Sequence, residues 1–221
     1  MEIASIVLAR TIGLVETGLF NPHGNVSVNK LVSLIANRFS FMSAPSKLQD
    51  FENDKGVVFK KGYFNGESIE ELAIYNDGIK IDARSSTENA QAIILESLEW
   101  LKQEAGIYYA GGMIPRWAFL SQIVVRSEMN FNAIHPAFTA LSERVEQVVN
   151  SRTGENFAYR FNGISVDFQK LNGDYPIAAF TLERRVKTPD EEKLYFSQAP
   201  MQTNQHFETL VEFERNLSIR R

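Results

Sequence analysis

The chain of 221 residues carries 23 Lys and Arg against 27 Asp and Glu, and 44% of it is apolar. That balance belongs to one large or two small globular domains and excludes wholesale disorder. With no cysteine, disulfides, thiolate nucleophiles and Cys-ligated zinc or iron–sulfur centres are excluded as well.

Lys and Arg are scattered over a net charge of −4, and the only basic clusters are Arg184-Arg185 and Arg220-Arg221. Nucleic-acid affinity draws on banked positive charge, so nucleic acid is not an expected partner. Met1-Glu2-Ile3 offers no basic leader region, and the apolar stretch behind it is broken by Arg10 and Glu16. No window approaches the roughly 20 apolar residues of a membrane span. A soluble, cytoplasmic protein with no membrane partner is expected. Sixteen Phe lean the fold toward sheet, where aromatic side chains pack well.

In chain order, Ile3 to Thr17 alternates as a long strand, with Ile6, Leu8, Ile12 and Leu14 on one side and Val7, Ala9, Thr11 and Val15 on the other. The turn formers Asn21-Pro22-His23-Gly24-Asn25 end it. Val28, Leu31, Val32, Ile35 and Phe39 then trace one helical stripe, with Ser27 or Asn25 placed to cap it. Phe41 to Lys55 reads as a surface loop, and Gly56 to Phe64, Ile69 to Tyr75 and Ile79 to Arg84 as strands. A two-residue turn at Asp77-Gly78 sets Ile74 opposite Ile81 and Leu72 opposite Ala83. Ser85 with Glu88 fits a capping box for a helix carrying Ala90, Ile93, Ile94, Leu98 and Leu101 and ending at Gly106.

The order then repeats. After a connector over Ile107 to Pro115, Trp117 to Met129 reads as a strand, Phe131 to Pro136 as a turn, and Phe138, Leu141, Val145, Val148 and Val149 as a helical stripe. Phe157 to Phe161, Ile164 to Phe168, Ile177 to Val186 and Leu194 to Ser197 read as strands, and Thr203 caps a last helix carrying Phe207, Leu210, Val211 and Leu217. The expected fold is α+β: two tandem β-α-β-β-β-α units over 1–106 and 117–221, joined by the connector 107–116. A mainly antiparallel sheet with helices on one face and a pseudo-twofold axis is expected. Local matches support a duplication: Phe20-Asn21 with His23 against Phe131-Asn132 with His135, and Thr87 with Leu95-Glu96 against Thr203 with Val211-Glu212. The element order is similar to that of the TATA-box-binding protein, but this chain lacks the basic stripe that would suit a minor groove.

Few residues point to chemistry. His23 lies in a turn with Asn21, and His135 precedes Pro136 in the corresponding place. Such histidines suit capping first, binding second and acid–base work last, since no orienting partner or nucleophile is apparent. The carboxylates Glu70-Glu71, Asp82 with Glu96, and Asp190-Glu191-Glu192 read as solvated surface. No phosphate-cradling glycine loop and no nucleophile elbow occurs. No cofactor, metal or catalytic residue is therefore expected. The connector crowds Tyr108, Tyr109, Arg116 and Trp117 around Gly111-Gly112, and these types are enriched at interfaces. The expected function leans away from catalysis, toward binding another protein or a second copy through a free sheet face and this connector. The alternative is a small-molecule-binding protein or hydrolase with a pocket near His23 or between the two halves.

Overall fold

The computed structural model describes residues 1–46, 50, 56–131, 134–167, 178–185 and 192–219, with Ser218 and Ile219 as backbone only. It contains four α-helices and an antiparallel sheet of eight strands. They run in the order β1 (Glu2–Leu14), α1 (Val28–Arg38), β2 (Val57–Phe64), β3 (Glu67–Tyr75), β4 (Gly78–Ala83), α2 (Thr87–Ala105), β5 (Arg116–Arg126), α3 (Pro136–Thr153), β6 (Gly163–Val166), β7 (Phe180–Arg184), β8 (Leu194–Ala199) and α4 (Thr203–Ile219). Hydrogen-bonded neighbours follow the order β2-β3-β4-β1-β5-β8-β7-β6. Contacts divide the chain into two units. The first is Ile6–Gln122 with Pro200–Gln205, and the second is Met1–Ser5, Ile123–Ala199 and His206–Arg221. Among the described residues no helix is long and apolar enough to cross a membrane.

In the first unit the alternation of β1 becomes two faces. Ala9, Thr11 and Gly13 are buried, while Leu8, Arg10, Ile12 and Leu14 are half-buried. Val32 and Ile35 of α1 and Ala90, Ile93, Ile94, Leu98 and Leu101 of α2 join Phe59, Ile69, Leu72, Ile79 and Ile81 in one hydrophobic cluster. Facing away from these strand residues, Arg10 forms a two-pronged ion pair with Asp82 at 2.7 and 2.8 Å, and Lys80 reaches Glu71 at 2.6 Å. These are opposite charges on adjacent strands, the favourable cross-strand arrangement.

Several expectations are corrected here. β1 stops at Leu14, because the N–H groups of Val15 and Thr17 bond to the carbonyls of Asp77 and Asn76 and draw the chain round the hairpin tip. A 3-10 helix at Thr17–Phe20 follows. The β3–β4 turn is Asn76-Asp77: Tyr75 pairs with Gly78, Ile74 with Ile79 and Leu72 with Ile81. A two-residue slip keeps every side chain on its face, so apolar matching alone could not separate this register from the expected one. Gly78 belongs inside the strand, where a Cβ would come within 2.9 Å of the Gly13 carbonyl. The α2 cap is Ser86, whose hydroxyl accepts the Asn89 N–H; the hydroxyl of the expected Ser85 is buried with no partner among the described residues. Ser27 occupies the α1 cap position but makes no side-chain cap bond. Gly106, in the left-handed conformation, ends α2 as expected.

In the second unit β5 ends at Arg126, where the Ser127 hydroxyl accepts the Met129 N–H and turns the chain out of the sheet. Leu182, Tyr195 and Leu210 form fully buried core, and Phe131 meets Phe161 and Tyr195 edge-on. The expected stripe of α3 is only partly covered: Phe138, which stacks on Phe161, and Val148 and Val149 are half-buried, whereas Val145 is exposed, Leu141 is 59% exposed and the helix fully buries no residue. Phe157 to Phe161 is not a strand. The Asn150 amide bonds both the N–H and the C=O of Phe157, and Glu146 accepts the Tyr159 N–H, which ties this segment to α3. Within Phe41 to Lys55, Phe131 to Pro136, Ile164 to Phe168, Ile177 to Val186 and Asp190-Glu191-Glu192, the positions 47–49, 51–55, 132–133, 168, 177, 186 and 190–191 lie outside the described residues, as does Arg220-Arg221.

Candidate functional site

A cavity of about 380 Å³ lies inside the hydrophobic cluster of the first unit. The stripes of α1 and α2 bring Val32, Ile35, Ile93 and Leu98 to one side of it, and β2 to β4 bring Phe59, Leu72 and Ile81 to the other. Three lining residues, Gly18, Val28 and Asn76, are exposed, so the opening lies where the 3-10 helix, the start of α1 and the β3–β4 turn meet. The volume falls within the range of small-molecule pockets, about 300–1,000 Å³.

Polar groups in the lining are few and mostly occupied. The Thr17 hydroxyl donates to the Tyr75 carbonyl at 2.8 Å, and the Ser97 hydroxyl donates to the Ile93 carbonyl inside α2. Asn21 is held by Val26, its amide donating to the carbonyl at 2.9 Å and accepting the N–H at 3.2 Å. Among the described residues the lining contains no Lys, Arg, His, Asp or Glu. The walls therefore offer mainly shape and dispersion, with no ordinarily charged side chain; the hydroxyl-bearing residues of the lining are Thr17, Tyr75 and Ser97.

The residues singled out by sequence take different places. Asn21 lines the cavity, whereas His23 is exposed in the loop that Asn21 pins. His135 is the N-cap of α3, its Nδ1 accepting the Ala137 N–H at 3.1 Å. The connector supports the cavity wall. Ile107 lines it, the Tyr108 N–H bonds the Phe20 carbonyl, and buried Tyr109 packs against Phe20, itself a lining residue. Burial, with a smaller push from Glu99, raises the Tyr109 phenol above its ordinary pKa. Trp117 is packed against this core, reaching over Gly13, while Tyr108 is 60% exposed and Arg116 is exposed at the start of β5. Val28 and Asn76 were not legible as site residues, because a helix stripe around a cavity reads the same as one around a filled core.

Three of the carboxylates flagged in sequence have cationic partners: Glu70 with Arg84, Glu71 with Lys80, and Asp82 with Arg10. Among the described residues no group of three His, Asp or Glu is placed to hold a metal. The second unit holds a buried Ser–His pair. Ser197 Oγ lies 2.8 Å from His206 Nε2 and 2.7 Å from the Thr181 carbonyl. A carbonyl only accepts, so the one hydroxyl hydrogen goes to Thr181 and Nε2–H donates to the serine oxygen. That is the reverse of a serine activated by a histidine base, and both residues are fully buried. Compared with known proteins, the chain matches no family model and no curated sequence.

Proposed function

We propose that the protein binds a small apolar molecule in the cavity of its first unit. The volume of that cavity carries the reading. Packed protein interiors leave few voids larger than a water molecule, whereas this apolar space is about 380 Å³ and opens at exposed residues. A ligand of matching size supplies the contacts its walls lack. Protein purified under native conditions and then extracted into organic solvent should release close to one equivalent of an apolar compound, identified by mass spectrometry. Val28→Trp, which fills the opening at an exposed position, should lower the yield several-fold. Extracts without any such compound, from protein whose melting temperature also ignores added apolar probes, would remove the proposal.

The duplication belongs with this reading. Under the pairing β1 with β5, β2 with β6, β3 with β7 and β4 with β8, the strand order reads the same from either edge, as a pseudo-twofold repeat with helices on one face requires. Equivalent residues near such an axis would touch each other. Thr87 and Thr203 do so: each N–H donates to the other's hydroxyl oxygen, at 3.1 and 2.8 Å. Only the first copy then carries a described ligand cavity. A second reading, association with another protein or a second copy, is favoured by the uncovered apolar side chains of α3, and the mass in solution decides it.

A further inference from the structure

We infer that the cavity selects an uncharged, compact molecule of roughly 15 non-hydrogen atoms, with at most one hydrogen-bonding group, held at the rim by Asn76. This rests on the cavity being a ligand site, and specifies what that site accepts. The size follows from scaling: a dry cavity of about 150 Å³ holds benzene, and this one is 380 Å³.

The chemistry follows from the lining. The hydroxyls of Thr17 and Ser97 donate to backbone carbonyls, and both ends of the Asn21 amide are bonded to Val26. None of these donors is left over for a ligand inside. An ionised group drawn into this space would lose its water with no opposite charge among the described lining residues to replace it. A short, rigid ligand cannot avoid that by leaving its charge outside while its body fills the cavity. Asn76 differs from the other polar lining residues. It is exposed, and its backbone carbonyl accepts the Thr17 N–H at 2.8 Å, while its side-chain amide has no partner among the described residues. The Asn76 amide, with its N–H donors and its oxygen acceptor, is thus offered at the opening, while the donors of Thr17, Asn21 and Ser97 are already spent.

A matched set of rigid probes tests this: naphthalene, 1-naphthol, 1-naphthoate and 1-naphthylmethylammonium, titrated at neutral pH against the full-length protein by calorimetry, with melting temperature as a second readout. We expect naphthalene and 1-naphthol to bind one per chain and both ions at least about 30-fold more weakly. Asn76→Ala should weaken 1-naphthol about 3- to 10-fold and leave naphthalene unchanged. Val28→Trp, or Leu31→Trp should the first fail to fold, should abolish binding. Ions that bind as tightly as the neutral pair would overturn the inferred selectivity while leaving the cavity a ligand site. Silence from all four probes would overturn both, as would binding indifferent to the blocking substitutions. An Asn76→Ala effect equal on naphthalene and 1-naphthol would remove the rim hydrogen bond.

Discussion

His206 shows how one side chain can set a property of the whole protein. Its imidazole is fully buried, donates to Ser197 and meets the Phe180 ring edge-on. Burial disfavours the charged form and lowers its pKa to about 4 from an ordinary 6.5. Between those values the unfolded chain holds a proton that the folded chain refuses. Stability therefore rises with pH through that window, and what is present at pH 7 is lost as pH falls from 6.5 toward 4. One proton corresponds to about 1.4 kcal/mol per pH unit at most. Urea unfolding at several pH values should show this slope, and His206→Gln, which keeps a donor for Ser197, should flatten it. Equal slopes for the two proteins would mean that His206 is not held neutral. Nothing in the sequence around His206 announces this, because its partner lies on β8 and its burial depends on how α4 packs.

At the scale of elements, the Thr87–Thr203 contact joins the first residues of α2 and α4. Glu88 adds to it: one carboxylate oxygen accepts the Asn204 N–H and the other the Thr87 hydroxyl. Negative charge at two helix N-termini is favourable for both. Thr87→Val removes the acceptor of the Thr203 N–H and Thr203→Val that of the Thr87 N–H, so if the two threonines are equivalents each variant should cost about 1–3 kcal/mol. Denaturant unfolding of the two variants measures this; grossly unequal costs would count against equivalence. The existence of the helices and most strands was legible in the sequence, because apolar periodicity is local. Ser86 in place of Ser85, and the turn at Asn76-Asp77, were not. Each turns on a distant contact, with Thr203 in one case and with the end of β1 in the other. Phe157 to Phe161 alternates convincingly, yet the Asn150 amide supplies hydrogen bonds that would otherwise need a neighbouring strand.

At the scale of the molecule, the two units are unequal in what they cover. The first encloses a cavity, whereas the second leaves Leu141, Phe157 and Val166 at 59%, 48% and 60% exposure. Scattered apolar side chains on a surface are ordinary, but a helix with none of its residues buried is not. If these residues meet a second copy, light scattering should show the mass doubling as protein concentration rises through tens of micromolar. Leu141→Glu should return the monomer. A constant monomer mass across that range would rule out self-association through this surface. Apolar content alone did not foretell this asymmetry, because the stripes read for α1 (Val28, Leu31, Val32, Ile35, Phe39) and α3 (Phe138, Leu141, Val145, Val148, Val149) are alike in sequence and only the packed chain shows which is better covered.

The threonine contact also bears on synthesis. Its partners are 116 residues apart, and a chain elongating at about 5–20 residues per second needs roughly 6 to 23 seconds to make the second after the first. Through that interval the amide of Thr87 waits for an acceptor, and the last segment of the first unit, Pro200–Gln205, does not yet exist. The nascent half is then more exposed to proteases and chaperones than the finished molecule.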